Sequence, residues 1–513
     1  MLLWFYCLST RRAAVRCATV FTGRAGAVTF PPARGTARMT EDDPYVLTAQ
    51  AVQNPPATLW RALRQTGPGL ILAASIVGTG ELIATTHLGA RTGFALLWLV
   101  IVSCFIKVFV QAELGRYAIS SGQTSLAALR TLPGLARHAG WWWLIMMLCT
   151  QAQLAAVVGG TAQALYMAFG DVFASVMPAV ARLFPAAEGR PELPFAVFVA
   201  VATSALLAAG SYSLVEKGST LLVAAFTCMT VACVALLPGA GCPLPPARVL
   251  SGLCPGIPDV DGAVLAALAM FGITGVGAAE LIAYPYWCIE KGYARRTGPR
   301  DSSSAWHARA RGWLAVMKLD VFVSMVVYTV ATVAFYMLGA ATLHAGAGGL
   351  PRTVDGMLKA LARMYEPVLG QRGATVLVIA GVFAVLYSTL YSATAANSRA
   401  LADFLTTNCA ARFGHPTDRR RWVRIFCVAF PLLDLLLFTL VKDPVGMVLF
   451  GGFAQAITLP MIGGAALYLR YRRTDERLRP GVLWDVLLWL SLAGVCIAAA
   501  WGLYDVAVRL LRT

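Results

Sequence analysis

The chain has 513 residues, of which 58% are hydrophobic and only 13% are charged, and its formal net charge is +17. Ordinary soluble domains contain about 25% charged residues, so this composition excludes such a domain and indicates an integral membrane protein. The basic residues cluster in short loops between apolar runs, which is typical of membrane topology and argues against nucleic-acid binding.

In chain order, residues 1–66 are interpreted as an N-terminal cytoplasmic tail. Residues 1–38 contain no acidic residue and many arginines after a short apolar opening, a pattern compatible with a signal or transit segment. The same pattern is compatible with a start codon assigned too early, with Met39 as the true beginning, and we favour this second interpretation.

Eleven apolar segments follow, and segments of this size suit a hydrocarbon core of about 30 Å, which needs about 20 helical residues. We number them span one to span eleven, and they cover residues 67–91, 93–120, 141–170, 194–213, 221–238, 261–287, 313–344, 373–405, 422–441, 443–470 and 481–511. Residues 353–365 have helical spacing and are expected on the outer surface. Glu216 and Lys217 are interpreted as the link between spans four and five, and a disulfide between Cys242 and Cys254 is compatible with their shared outer loop.

The loops predict the orientation of these spans. Basic loops follow spans two, six, eight and ten, whereas the loops after spans one, three, five and seven carry few or balanced charges. The positive-inside rule then places the N-terminus in the cytoplasm and the C-terminus on the external side. We expect the protein in the cell membrane, which is the inner membrane or the plasma membrane. Spans one and six face opposite ways, so we predict an all-α protein with a 5+5 inverted repeat, residues 67–238 and 261–470, and an extra C-terminal helix at 481–513.

The tetrapeptide Glu-Leu-Ile-Ala occurs twice, at 81–84 in span one and at 280–283 in span six, each time after a glycine-rich run. Glycine weakens a helix, and a carboxylate in mid-membrane is costly unless it has a task. Interruptions at corresponding places in two halves point to the binding site of a transporter. We therefore predict that helices one and six are broken at residues 78–80 and 275–277, next to Glu81 and Glu280.

Two carboxylates together with backbone carbonyls freed by broken helices suit a hard cation such as Mg²⁺, Mn²⁺ or Ca²⁺. Without a cation, two nearby carboxylates would tend to share a proton. The alternative is that each glutamate satisfies the backbone of the opposite break and never touches a substrate. The candidate metal-binding residues are Glu81, Glu280, Gly78, Thr79, Gly277, Ala278 and Thr274, with His87, Gln153, Gln455 and Thr458 as weaker candidates.

Other polar residues in the spans have a plainer interpretation. A histidine in the position of His87 is more often a satisfied interior residue than a ligand. Lys107, Lys318 and Asp320 are placed near membrane ends, where they would act as structural pairs or gates. No phosphate-binding loop, paired Cys-x-x-Cys or Ser-His-Asp arrangement is visible, so we expect neither enzymatic activity nor a cofactor.

The stretch from Gly-Pro-Gly-Leu at 67–70 to Leu-Leu-Trp at 96–98 resembles the first span of the Nramp divalent-metal transporters. The Leu-Gly-Arg end of span two at 114–116, the Leu-Gly-Ala-Ala-Thr-Leu-His end of span seven at 338–344 and the Leu-Pro at 459–460 are also similar to that family. The resemblance covers residues from about 60 to 505. It implies a LeuT-type fold of the APC superfamily and, by inheritance, metal-ion transport.

The chain departs from the family at the positions that hold metal. The family's Asp-Pro-Gly-Asn at the first break falls on residues 78–81, so that its Asn becomes Glu81. Its Met-Pro-His in span six falls on residues 279–281, and its Asp and Glu implicated in proton movement fall on Gln153 and Ala156. The resemblance therefore implies a rebuilt ligand set that favours Mg²⁺ or Mn²⁺ over Fe²⁺, and the absence of the usual proton route.

Three functions stay open. The first is transport of a hard divalent cation by alternating access, with a metal ion and the lipid bilayer as partners, no nucleic acid, and a monomer compatible with the sequence. The second is a LeuT-type carrier of an organic cation or amino acid, with its site walled by Tyr284, Tyr286 and Trp287. The third is a non-transporting sensor or partner subunit with a plugged cavity. A bare ion needs almost no space, whereas an amino acid needs a pocket on the order of 100 Å³ or more.

Overall fold

The structure, a computed structural model, describes residues 44–172, 190–210, 212–242, 244–260, 262–344, 349–408 and 416–512. Within these ranges the chain forms helices, turns and loops and contains no β-strand. The predictions for residues 1–38 and for a start at Met39 lie outside the described residues.

The helices follow the predicted spans in order, and most boundaries agree within a few residues. Spans two to five are Leu97–Ser121, Ala139–Phe169, Leu193–Ala208 and Tyr212–Leu236. Spans seven to eleven are Ser304–Thr342, Glu366–Asn408, Pro416–Leu440, Pro444–Arg472 and Val482–Arg512. Short connecting helices are Leu59–Leu63, Ser125–Leu129, Pro246–Ser251, Tyr293–Thr297 and Val354–Arg363.

Ten of the described helices are long and apolar enough to cross a membrane, counting each interrupted span as one. The helix at the position of span four, Leu193–Ala208, is equally apolar but has only 16 residues. At 1.5 Å per residue it is about 24 Å long, shorter than a hydrocarbon core of about 30 Å. The all-α membrane architecture is thus confirmed, with ten full-length spans and one short apolar helix.

Spans one and six are both interrupted where the glycines predicted, but in different ways. Span one runs as an α-helix over Pro68–Ile76, a π-helix over Val77–Thr85 and an α-helix over Thr86–Thr92, so its backbone stays helical throughout. Span six consists of two α-helices, Ala263–Ile273 and Ala278–Glu290, and the four residues between them leave the helix. Only span six is therefore unwound.

The apolar core consists of two large clusters, and both interruptions lie where one cluster ends and the other begins. In span one, Ile76 belongs to the first cluster and Val77 to the second. In span six, Ile273 belongs to the second cluster and Val276 to the first. Large apolar side chains such as Phe198 and Leu436 are exposed on the outside of the bundle, as expected for a surface that faces lipid. The interruptions thus occupy the middle of the molecule.

Several details of the sequence prediction were wrong. Glu216 and Lys217 lie within helix Tyr212–Leu236 rather than in a link, because that helix begins earlier than its apolar part. Span seven begins at Ser304, so Arg309 and Arg311 of the predicted basic loop are helical. Arginine is a good helix former, and a helix can continue beyond the apolar region that the membrane requires.

Two predictions concern the outer loops. Cys242 and Cys254 are both free thiols, so the disulfide considered for their loop is not formed. The predicted helix near residues 353–365 is present as Val354–Arg363, with Thr353 accepting a hydrogen bond from the backbone N–H of Gly356 as its cap. Met357 and Leu358 on this helix are fully buried, so it packs onto the bundle through an apolar face.

Candidate functional site

The unwound part of span six requires glycine at its centre. Gly275 has φ of 66°, in the left-handed region that favours glycine, and an added Cβ would lie 2.9 Å from the Cα of Cys104 in span two. The helix before it ends at Ile273, and Thr274 is extended. The carbonyl groups before the break and the N–H groups after it therefore need partners from other spans.

Glu81 supplies one of these partners. Its Oε1 accepts a hydrogen bond from the hydroxyl of Thr332 in span seven, at 2.7 Å, and from the backbone N–H of Gly275, at 3.4 Å. The side chain is fully buried. Glu81 thus contacts the backbone of the opposite break, which is the alternative considered from the sequence, although its Oε2 has no partner among the described residues.

Lys107 supplies the other partner. Its ammonium group donates to the carbonyl oxygen of Phe271, at 2.6 Å, and to that of Thr274. It also lies 5.0 Å from the centre of the Phe271 ring, and the residue is fully buried. The placement of Lys107 near a membrane end was therefore wrong: this cation lies at the break of span six, because the carbonyls freed there attract it.

Glu280 differs from Glu81 because no other described residue forms a hydrogen bond or ion pair with its carboxylate. Its Oε2 is buried and has no hydrogen-bond partner, while its own backbone N–H and the charge of nearby Lys107 act on the carboxylate. The residue lies in the first turn of helix Ala278–Glu290, where the positive end of the helix dipole favours an anion. A carboxylate held inside the protein without a partner is costly, and binding of a cation or a proton would lower that cost.

A cavity of about 20 Å³ lies beside Glu280. This volume is enough for one water molecule or one bare ion. Its polar lining comes from Ser75 of span one and from Ser392 and Asn397 of span eight, in addition to Glu280 itself. The remaining lining is apolar or aromatic: Ile71, Leu72, Ala279, Ala283, Trp287, Ala393 and Ala396. Glu81 does not line this cavity.

A chain of neutral amides joins the two interruptions on the side of Glu280. The side-chain N–H of Gln153 in span three donates to the hydroxyl of Thr79 at 2.6 Å. Gln455 of span ten donates to Gln153 at 3.1 Å, and the backbone N–H of Ala279 donates to Gln455 at 3.0 Å. These three predicted residues therefore lie together, between span one and the start of the second half of span six.

The same region shows how closely Gln455 and Glu280 approach each other. A Cβ added to Gly277 would lie 2.5 Å from Glu280 Oε2 and 2.7 Å from Gln455 Oε1. Two acceptor oxygens thus converge above the Cα of Gly277, the last residue before the helix. Only a residue without a side chain leaves room for both.

The remaining predicted residues lie around this centre. Ala278 is the first residue of the second half-helix, and Gly78 packs against the hydroxyl of Thr389 in span eight. The hydroxyl of Thr274 lies 3.2 Å from that of Thr85. Thr458 accepts a hydrogen bond from the indole N–H of Trp142 at 3.1 Å, and no contact joins it to the amide chain.

Two residues have structural roles at the ends of span one. Nδ1 of His87 accepts the backbone N–H of Leu350 at 3.0 Å, so His87 holds an outer loop and lies away from the breaks. Asp320 of span seven accepts the backbone N–H groups of Gly67, at 2.8 Å, and Gly69, at 2.7 Å, and also binds the Tyr284 hydroxyl at 3.0 Å. Asp320 thus caps the start of span one.

Sequence reasoning missed Asp434 and Asn397. Asp434 is fully buried in the middle of span nine, and its Oδ1 accepts a hydrogen bond from the side chain of Gln151 at 3.2 Å. Asn397 donates to the same Gln151 side chain at 3.2 Å and lines the Glu280 cavity. The signal for Asp434 was available, because an acidic residue stands alone within the run Pro-Leu-Leu-Asp-Leu-Leu-Leu.

Within the described ranges, no group of three or more His, Cys, Asp or Glu side chains is arranged to hold a metal ion. Any cation bound near the breaks would therefore be held by at most two such side chains, together with neutral oxygens. Outside the spans, neighbouring side chains shift the pKa values of individual groups. For example, burial opposes ionisation of Asp475 in the loop after span ten, but hydrogen bonds from Arg477 and His307 outweigh it and hold the pKa of that carboxyl well below its usual range.

Several relatives and solved structures are similar to this chain. An uncharacterised protein from Pasteurella multocida is 23% identical over 479 residues, which are 90% of this chain and 96% of the relative. The divalent metal cation transporter MntH of Brucella suis is 34% identical over 111 residues, only 21% of this chain and 24% of that protein. The second likeness is thus confined to a segment.

The fold is shared with solved transporters. A mutant of the manganese transporter of Eremococcus coleocola matches with a TM-score of 0.65 at 16% identity, covering 90% of each chain. MhsT in complex with L-phenylalanine, a LeuT-fold transporter, matches with a TM-score of 0.51 at 17% identity, over 87% of this chain and all of that one. The sequence profile described as "Natural resistance-associated macrophage protein-like" matches residues 69–505. The chain belongs to the Nramp family of membrane transporters.

Proposed function

We propose that this protein moves a hard divalent cation, Mg²⁺ or Mn²⁺ in preference to Fe²⁺, across a membrane by alternating access. The observation that carries the proposal is the buried, unpartnered Oε2 of Glu280 beside a cavity of about 20 Å³. The family membership supports transport, and the MntH and manganese-transporter relatives support a divalent metal as the substrate.

The chemistry of the lining supports a hard ion. Glu280 offers a carboxylate, Asn397 a carboxamide oxygen, and Ser75 and Ser392 hydroxyl groups. Among the described residues that line the cavity there is no Met, Cys or His, so no soft sulfur or imidazole ligand is offered. Oxygen ligands suit Mg²⁺, Mn²⁺ and Ca²⁺, whereas a site for softer transition metals would include sulfur or nitrogen.

In this proposal the two glutamates have different tasks. Glu280 is the charged ligand of the substrate, while Glu81 and Lys107 serve the unwound backbone of span six. This replaces the paired-carboxylate site expected from the sequence with a site of one carboxylate. The buried ammonium of Lys107 also places a fixed positive charge near the site, which would oppose a second cation.

The alternative of an amino-acid or organic-cation carrier gains no support from the site. Its substrate would need a pocket several times larger than about 20 Å³. Of the three aromatic residues expected to wall such a site, Trp287 lines the cavity, whereas the hydroxyl groups of Tyr284 and Tyr286 bind Asp320 and Asp403, at 3.0 and 2.6 Å. A non-transporting role is addressed directly by the flux measurement below.

The orientation remains a proposal from the loop charges, with the N-terminus in the cytoplasm and the C-terminus outside. The division into repeats at residues 67–238 and 261–470 is likewise a prediction. Gln153 and Ala156 occupy the positions at which the family carries acidic residues, and neither side chain can release a proton. Proton movement by the family's usual residues is therefore not expected.

Ion flux into liposomes that contain the purified protein tests the proposal. Mn²⁺, Mg²⁺, Ca²⁺ and Fe²⁺ would be compared for the unmodified protein, Glu280→Gln, Glu81→Gln and Glu476→Gln, the last being an exposed glutamate in the loop after span ten. We expect flux of Mg²⁺ or Mn²⁺, reduced at least about tenfold by Glu280→Gln and unchanged by Glu476→Gln. Flux that survives Glu280→Gln would refute this ligand, and no metal flux from folded protein would refute metal transport.

A further inference from the structure

Asp434 is another buried carboxylate without a complete set of partners. It is fully buried in span nine, and its Oδ2 has no hydrogen-bond partner among the described residues. Its Oδ1 accepts one hydrogen bond, from Gln151 Nε2 at 3.2 Å. A carboxylate oxygen in this position is satisfied more cheaply by a proton than by a bare negative charge.

The helices packed against Asp434 offer no counter-charge. Span nine packs on spans three, four and eight. Span three carries only Cys149 and Tyr166 as titratable groups, and Leu193–Ala208 carries none. Span eight carries Tyr391 and Arg399 in its C-terminal half, but Arg399 is paired with Glu290 at 2.7 Å.

The other titratable groups lie further along these helices. On span nine itself, Cys427 lies two turns before Asp434, and the arginines cluster at the start of the helix. Towards the two ends of span eight are Glu366, Arg372 and Asp403, and Tyr387 lies at its middle. Within the described ranges no ion pair reaches Asp434, and its one hydrogen bond comes from the neutral amide of Gln151. Nothing nearby would hold this carboxyl ionised in the present conformation.

Two amides connect Asp434 to the cation cavity. Asn397 Nδ2 donates to Gln151 Oε1 at 3.2 Å, and Gln151 Nε2 donates to Asp434 Oδ1 at 3.2 Å. Both donors point in the same direction, away from the cavity and towards the carboxyl. The oxygen of Asn397 accepts no hydrogen bond from the described residues, and Asn397 lines the cavity with Glu280.

Because both amides are oriented the same way, polarisation at Asn397 is passed along the chain to Asp434. A cation that binds the Asn397 oxygen withdraws electron density and strengthens its N–H as a donor, which in turn strengthens the N–H of Gln151. Stronger donors at Asp434 favour its ionised form. As the cation binds, the O–H bond at Asp434 Oδ2 breaks, the carboxylate keeps the electron pair, and solvent water takes up the proton as hydronium.

We propose that Asp434 is a proton-binding site of the membrane interior, linked through Gln151 and Asn397 to the cavity of Glu280, so that cation and proton oppose each other. The proposal rests on the proposed cation site. It places proton exchange on spans three and nine at residues other than Gln153 and Ala156. Because coupling between sites is reciprocal, acidification must weaken cation binding by the same factor by which the cation favours proton release.

Proton release on cation binding tests the proposal. The purified full-length protein would be titrated with Mn²⁺ in a weakly buffered solution containing a pH-sensitive dye, and the binding isotherm recorded in parallel. Release from the unmodified protein should exceed that from Asp434→Asn, a variant of the same shape, by up to about one proton per cation. Cation affinity of Asp434→Asn should also depend less on pH.

A second variant keeps the test independent of Asp434 itself. Gln151→Leu leaves the carboxyl in place but severs the chain, so its proton release should match that of Asp434→Asn. Glu280→Gln, which should bind no cation, reports the baseline. Equal proton release from the unmodified protein and from both variants would overturn the proposal. Failure of the unmodified protein to bind any cation would instead overturn the proposed function, so the two failures are distinguishable.

Discussion

The interruptions of spans one and six carry the same four residues, Glu-Leu-Ile-Ala, yet the carboxylates of the two glutamates differ in their hydrogen bonding. Span one remains helical as a π-helix, and its Glu81 is hydrogen-bonded to Thr332 and Gly275. Span six unwinds, and the carboxylate of its Glu280 forms no hydrogen bond to another described residue. The same short motif therefore has a structural task in one half and is left free in the other.

The two glutamates differ because of the hydrogen-bond partners that neighbouring spans provide. Lys107 from span two and Glu81 from span one cap the carbonyl and N–H sides of the same break, so the unwound backbone is satisfied from outside. No residue does this for Glu280. The binding role that we propose for Glu280 rests on its lack of a partner, which a local motif does not specify.

The largest effect is expected from Lys107→Met. Removal of the ammonium leaves the carbonyls of Phe271 and Thr274 without their donor and Glu81 without a nearby cation, in a fully buried place. We expect the free energy of unfolding to fall by about 3–5 kcal/mol. Thermal unfolding followed by size-exclusion chromatography in detergent measures the loss.

Lys318→Met, at a half-buried lysine of span seven, is the matched control and should change stability little. Adding Glu81→Gln to Lys107→Met should recover part of the loss, because it removes the charge left alone. A stable Lys107→Met protein with unchanged unfolding temperature would show that this cation does not support the break.

The next effect separates the two glutamates directly. Glu81→Leu removes the acceptor for Thr332 and for the Gly275 N–H, so we expect a loss of about 1–3 kcal/mol. Glu280→Leu removes a carboxylate that has no partner, so stability should be unchanged or higher while cation flux is lost. Thermal unfolding and liposome flux would be measured on both variants. Equal destabilisation by the two changes would show that the two glutamates do not differ in their structural role.

A smaller effect is expected at the amide chain. Gln455→Leu leaves the backbone N–H of Ala279 and the oxygen of Gln153 without partners, which should cost about 1–2 kcal/mol and impair flux. Thr458→Val, one turn further along span ten, loses the hydrogen bonds of the hydroxyl with Trp142 and with the carbonyl of Ala454 but leaves the amide chain intact, so it serves as the control for flux. Full flux from Gln455→Leu would separate this chain from the transport cycle.

The smallest effect concerns a carboxylate far from the breaks. The low pKa of Asp475 means that its ionised form stabilises the folded protein above its unfolded pKa of about 3.9. That stabilisation is lost as pH falls from about 4 through the lower folded pKa. Unfolding temperature between pH 6 and pH 3 should therefore fall less steeply for Asp475→Asn, while Glu476→Gln should follow the unmodified protein. Parallel curves for all three proteins would contradict this assignment.

Much of the architecture could be predicted from the sequence, because membrane spans depend on local composition. Long apolar runs, basic loops and two glycine clusters indicated the number, order and interruption of the helices. Boundaries failed where charged residues extend a helix, as at the start of span seven. The form of the interruption in span one also could not be predicted, since a π-helix is stabilised by tertiary contacts around it.

The candidate site was less predictable, because it depends on distances between spans. Thr79, Gln153 and Gln455 were named separately, and their hydrogen-bonded chain appears only when spans one, three and ten are packed together. The task of Lys107 depends on where the carbonyls of span six lie, which no pattern in span two reveals. Asp434 was predictable as an isolated intramembrane acid, but its link to the cavity was not.

Asp320 has a mechanical consequence. One carboxylate of span seven fastens the first residues of span one and the Tyr284 hydroxyl of span six, so three helices are tied at a single point. Any motion that swings the start of span one away from span seven must break charge-assisted hydrogen bonds there and let water reach the acid. Hydration of Asp320 would then help to set the rate of the transport cycle. Weaker hydrogen bonds at Asp320 would increase the population of the conformation in which span one has moved away from span seven.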